Sequence, residues 1–301
     1  MNHFFKLPED CISAILSLTN PAAAATSSAV SKGFKSAAES DVVWDRFLHQ
    51  AQIMISSPPI CASKKELFLS LSHSHILLDG GKLSFSLDRW SGDKCFMVAP
   101  KELSIAGIDN PRQWEWTIRP NSRYYRLSEV AILKSARWLD IRGKIRTIML
   151  SPETHYAAYL VFKLVNDAYG IKLLNAVVRF VNHESESEAV KRATNVYIPS
   201  TSRLFFKNKT GPLYENCAQI RVDGWIEIQL GKFYNKGGDD GQVEARSMEI
   251  ERLHDKSGLI VGGIEFRPQS YKTNSPFGRK NQLILRSAAF FQKCFYQKYF
   301  W

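Results

Sequence analysis

Between residues 82 and 268 this 301-residue chain repeats one motif of side-chain order, short segments in which apolar and polar residues alternate or apolar residues run together. The segments are LSFSL (83–87), CFMVA (95–99), AAYLVFKLV (157–165), NAVVRFV (175–181), WIEIQL (225–230) and GLIVGGIEF (258–266). In WIEIQL, Ile226, Ile228 and Leu230 point one way and Trp225, Glu227 and Gln229 the other, because side chains alternate across a strand. Turn residues such as Asp109-Asn110-Pro111 and Lys236-Gly237-Gly238-Asp239 separate the segments. Many spaced strands without long helices between them predict an antiparallel β-sandwich of jelly-roll type.

The first 50 residues differ in kind. Leu7-Pro8-Glu9-Asp10 places a proline and two carboxylates at a helix start, where the dipole favours negative charge. Ile12, Ile15 and Leu16 then recur at helical spacing. Asn20 is suited to cap the alanine-rich run 22–25. Val30, Phe34 and Ala37, then Val43, Trp44, Phe47 and Leu48, continue the pattern. Helices this short cannot bury all these side chains among themselves, so they either dock on the rest of the chain or face a partner. The predicted organisation is a helical domain (1–50), a connector with some helix (51–81), a β-sandwich (82–270) and a basic aromatic tail (271–301).

The tail carries six Lys/Arg, no Asp or Glu and nine aromatic residues, and so holds more than half of the net charge of +11. It is expected to be a locally packed or non-functional appendage, and no nucleic-acid partner is expected. No stretch approaches the ~18 apolar residues of a membrane span. The start, MNHFFKLPEDC, lacks a secretory layout, so nucleus and cytoplasm are the expected locations. Cys11, Cys61, Cys95, Cys217 and Cys294 are far apart and read as reduced thiols.

The motifs of hydrolases, nucleotide binding and zinc proteases do not occur. His73 and His75 form a lone HxH, which gives no metal site by itself. Glu227, Glu244 and Glu249 could pair as in a glycosidase, but alternation predicts a solvated face for them. The chain is thus expected to be non-catalytic, without metal or cofactor.

Residues 7–48, with their Leu-Pro-Glu start, helical apolar spacing and Val-Trp near the end, resemble an F-box. Residues from about 82 to 268 resemble the phloem protein 2 (Nictaba-like) lectins. The segments that carry the likeness are NPRQWEW (110–116), ARWLDIRGKI (136–145), THYAAYLVFKL (154–164), DGWIEIQLGKFYN (223–235) and SGLIVGGIEFRP (257–268).

The first resemblance implies docking on the Skp-type adaptor of a cullin-RING ubiquitin ligase through Leu7, Pro8, Ile12, Ile15, Leu16, Val30, Phe34, Val43 and Trp44. Each such side chain is worth ~1.5–3 kcal/mol when buried, and Trp44 is the expected hot spot by residue type. The second implies binding of N-acetylglucosamine oligomers or N-glycan cores by two tryptophans and two glutamates. Trp114 and Glu249 match that pattern, and Gly107 stands where the other tryptophan belongs. Gln242 replaces the other glutamate, and Trp116 shares its strand face with Trp114. Trp138 and Trp225 fall in structural segments and are expected to be packing residues.

Together these resemblances imply a ligase subunit that holds the adaptor in front and a glycoprotein behind. Two alternatives are a receptor whose degenerate sugar site reads a protein surface, and a stand-alone stress lectin of cytoplasm and nucleus.

Overall fold

The computed structural model describes residues 7–52, 55, 59–118, 129–199, 217–237, 241–251 and 253–269. The tail from 271 onward, and with it Cys294, lies outside the described residues.

Five helices come first: α1 (Glu9–Ser17), α2 (Pro21–Ser27), α3 (Lys32–Glu39), α4 (Asp41–Gln52) and α5 (Lys64–His73). Their starts follow from side chains that accept otherwise orphaned backbone N–H groups. Asn20 accepts from Ala23 at 2.8 Å, with Pro21 in the first helical position. Ser31 accepts from Phe34 and Ser63 from Glu66 in the same way.

Strands then follow as β1 (Ile76–Leu78), β2 (Leu83–Leu87), β3 (Lys94–Val98), β4 (Ser104–Ile105), β5 (Trp114–Ile118), β6 (Glu129–Leu133), β7 (Leu139–Arg146), β8 (Thr154–Tyr169) and β9 (Leu173–Phe180). After the short α6 (Glu186–Lys191) come β10 (Thr194–Tyr197), β11 (Gln219–Ile220), β12 (Ile226–Asn235), β13 (Gln242–Glu249) and β14 (Ser257–Pro268).

Among the described residues the strands form two antiparallel sheets. The larger runs β1-β2-β3-β14-β8-β12-β11, with β6 also on β14 and β5 on β6; the smaller runs β10-β9-β13-β7-β4. Ile228, Leu230, Leu160, Ile264 and Phe266 from the larger sheet meet Ile141, Ile145, Val243, Ala245 and Val178 from the smaller in one buried core. Gly143 alternates with Ile141 and Ile145, and a β-carbon there would stand 3.1 Å from Ile264 of the facing sheet. The close approach of the two layers therefore requires glycine.

Trp225 falls on the outer side of its strand as alternation requires, yet it is buried. It joins Met97, Val161 and Ile260 in a second apolar cluster on the far face of the large sheet. A β-carbon at Gly262 would stand 2.6 Å from the Trp225 ring, so the missing side chain makes room for the indole.

The segment expected as a connector belongs to both halves. Phe68 of α5 lies 5.3 Å from the Trp44 ring, and β1 pairs with β2, so sheet begins at Ile76. The helices also touch the β2–β3 turn, where the Ala22 amide meets the Trp90 carbonyl at 3.5 Å. Met1–Pro268 accordingly forms one compact unit.

Candidate functional site

Two surfaces bear on function, and each divides its predicted residues between inside and outside. In the helices, Ile12, Leu16, Val43 and Trp44 are buried. Trp44 is 1% exposed; its indole N–H donates to the Ala38 carbonyl at 2.7 Å, and its ring meets Phe47 and Phe68. Its position is that of a core residue, which leaves it no face for an outside subunit. Leu7 and Phe34 are half-buried, while Pro8, Ile15 and Val30 are exposed. Leu18, which the spacing argument passed over, is 69% exposed and lies just beyond α1.

In the sandwich, the Asp109-Asn110-Pro111 turn is built as expected. The Asn110 side chain accepts from the Arg112 amide at 3.0 Å, and its carbonyl accepts from Trp114. That turn drives Trp114 inward. The ring is 3% exposed, and its N–H donates to the Ala106 carbonyl at 3.0 Å. Gly107 has φ 71°, and a β-carbon there would fall 1.9 Å from the Gln113 side-chain oxygen. The position of the absent tryptophan is thus disfavoured by its backbone conformation, and any side chain there would also have to displace the end of Gln113.

Glu249 is buried as well, in an ion pair at 2.6 Å with Lys256, itself 0% exposed. The Lys256 ammonium also donates to the carbonyls of Arg137 at 2.6 Å and His254 at 3.0 Å. It thereby joins the segment entering β7 to the segment leaving β13. Gln242 is exposed at the other end of β13. Seven strand positions separate it from Glu249, about 24 Å at the usual rise, so the two cannot grip one sugar ring. Trp116 is 37% exposed on β5, with the Lys101 ammonium over its ring at 5.9 Å.

The solvated-face expectation for Glu227, Glu244 and Glu249 is corrected, since none of the three is exposed and each meets a cation. Glu244 pairs with Arg179 at 2.8 Å, and Glu227 with Arg267 at 2.7 Å. Arg267 and Arg221 also grip the buried Glu265 on the outer face of the large sheet. Burial opposes its ionisation, but these guanidiniums hold its carboxyl below the usual range. Arrays of this kind satisfy charges that burial would otherwise make costly.

Trp138 overturns its expectation in the opposite direction, being 47% exposed rather than packed. The order WLDIRGKI carried the signal: Leu139, Ile141 and Ile145 turn inward, so Trp138 must turn outward beside Asp140, Arg142 and Lys144.

Among the described residues, no cluster of three or more potential ligands could hold a metal ion. No helix there is long and apolar enough to cross a membrane.

The phloem protein 2 family model matches residues 93–268. Over 277 residues the chain is 39% identical to F-box protein PP2-B10 of Arabidopsis thaliana, a match spanning 88% of this chain and 94% of that one. F-box protein PP2-B1 of the same plant is 38% identical over 315 residues (89% and 90%). F-box protein PP2-B15 is 34% identical over 288 residues (89% and 98%). This chain therefore belongs to the phloem protein 2 family of plant F-box proteins.

Proposed function

We propose that this chain is the substrate receptor of a cullin-RING ubiquitin ligase of nucleus and cytoplasm. Its N-terminal helices are the F-box and hold the Skp-type adaptor, and its sandwich holds a glycoprotein bearing N-acetylglucosamine. The observation that carries this reading is a set of aliphatic side chains left outside when the helices have closed on their own core. Ile15 is 43% exposed, Leu18 69% and Val30 57%, while Ile12, Leu16 and Trp44 beside them are buried. Covering such side chains is favourable only if something else supplies the cover. Leu7, Pro8, Ile15, Leu18, Val30 and Phe34 then make the contact, and Ile12, Leu16, Val43 and Trp44 hold the helices in shape. The receptor needs no catalytic group, because holding a target near the ligase raises the effective concentration of its lysines.

The test is recovery of the adaptor with the full chain. Ile15→Asp combined with Val30→Asp should abolish recovery without changing the melting temperature; undiminished recovery would reject the reading.

A second version of target binding has its own support. The inward Trp114 and the missing ring at Gly107 remove the stacking pair implied by the resemblance, which favours a sandwich that reads a protein surface. A glycan array separates the two, because the protein-reading version predicts no sugar signal.

A further inference from the structure

The outer face of the smaller sheet carries an exposed indole beside an ordered set of charged groups. Trp138 stands at the entrance to β7, and Asp140 and Arg142 follow on the same side of that strand. Successive members of this row stand about 7 Å apart. Asp140 accepts from Arg246 at 2.8 Å through both of its oxygens, and from Arg142 at 2.6 Å. Glu186, at the start of α6, closes the set on Arg142 at 2.9 Å and Arg246 at 3.1 Å. Although burial opposes charge on Asp140, the Arg142 and Arg246 guanidiniums hold its carboxyl below the ordinary range. These planar groups therefore keep one geometry before any ligand arrives.

The same face is covered on one side only. Ala189 of α6 packs on Val177 and Met248 above β9 and β13. Glu186 and Arg142 stay partly open, at 49% and 23% of their side chains. The result is a shelf over β7 with a wall at Glu186 and Trp138 at one end. Ile250, 42% exposed, closes β13 near that end.

We propose that this shelf is where the sandwich binds a sugar, with a pyranose ring stacked on Trp138 and its hydroxyls hydrogen-bonded to Arg142 and Glu186, while Asp140, its oxygens taken by Arg142 and Arg246, holds the guanidiniums in place. The inference rests on the glycan reading above and gives it a location other than Trp114, Glu249 and Gln242. A single exposed ring set among fixed carboxylates and guanidiniums suits a ligand with one apolar face and a hydroxylated rim. It does not suit the broad apolar stripe of a partner helix. Ile250 adds an exposed apolar surface against which an acetamido methyl group can rest.

The experiment is titration of the full chain with chitotriose by calorimetry, with the melting temperature recorded for each variant. Trp138→Ala should weaken binding by about ten- to hundredfold, the usual worth of one stacked ring. Trp138→Phe should lie between that variant and the unaltered chain. Glu186→Gln should weaken binding less than Trp138→Ala, and Trp116→Ala should leave it unchanged. Melting should not move in Trp138→Ala, Trp138→Phe or Trp116→Ala, and should fall slightly in Glu186→Gln, which loses its pairs with Arg142 and Arg246. Chitotriose binding that persists in Trp138→Ala would overturn the shelf and leave glycan recognition standing elsewhere. Failure of the unaltered chain to bind chitotriose would overturn the shelf together with the glycan reading.

Discussion

The helical end and the sandwich each draw a tryptophan into their interior and differ in what they leave outside. Trp44 and Trp114 are both interior, and each satisfies its indole N–H on a backbone carbonyl, of Ala38 and Ala106 respectively. Outside, the helices present aliphatic side chains, whereas the small sheet presents paired carboxylates and guanidiniums around one open indole. The difference teaches that residue type alone does not mark a contact residue. A tryptophan in a short helical layer is its largest source of buried area and is drawn in. A tryptophan on the outward parity of a strand stays open unless another element covers it, so Trp138 is exposed while Trp225 is covered. Aliphatic exposure calls for a broad protein partner, and a lone ring among fixed charges calls for a small polar one.

The hardest test of this contrast is Trp44→Ala. As a core residue it should cost ~3–5 kcal/mol, read as a large drop in melting temperature with loss of adaptor as a consequence. A stable Trp44→Ala protein that fails only in adaptor recovery would return Trp44 to the contact surface. Lys256→Ala should follow at ~3–5 kcal/mol, because it leaves Glu249 buried without its ammonium partner. Chemical denaturation measures that loss. Unchanged stability would mean that Glu249 is free to meet a ligand.

Gly107→Trp should destabilise by ~1–3 kcal/mol through its positive φ, with the end of the Gln113 side chain displaced. It should not create sugar binding, and a gain of chitotriose affinity in that variant would break the argument against a site there.

The smallest effect is that of acid on the charged arrays. Glu265 and Asp140 have carboxyl groups held below their ordinary values of 4.5 and 3.8. The stability they bring is therefore complete above those values and is lost as pH falls through their folded-state titration. Burial lowers His75 from 6.5, despite the opposing charge of Glu265. The unfolded imidazole takes up its proton first, so a further loss begins below about pH 6.5. Melting temperature should thus begin to decline below about pH 6.5 through His75 and fall further below about pH 4.5 as Glu265 and then Asp140 take up protons. A flat profile would show that these groups titrate alike in folded and unfolded chains.

Much of this was legible before any coordinates. Asn20-Pro21 dictated a helix start, because a side-chain acceptor and a preset φ act locally. Alternation in WIEIQL dictated which of its residues face the core, because strand parity is a property of the backbone. The turn at Asn110 was readable for the same reason. None of these needs a distant residue.

The fates of Trp44, Trp114, Trp225 and Glu249 depended on partners far away in sequence. Trp44 is inside because α5 brings Phe68 to it, and Trp225 because Gly262 on another strand leaves a place for its ring. Glu249 is spent on Lys256 rather than a ligand because burial demands an opposite charge. The sequence by itself therefore determined the helix starts, the parity of strands such as WIEIQL, and the family. Which apolar and charged groups remain open to a partner was settled only when the layers closed, since exposure belongs to the assembled chain and not to any one residue in it.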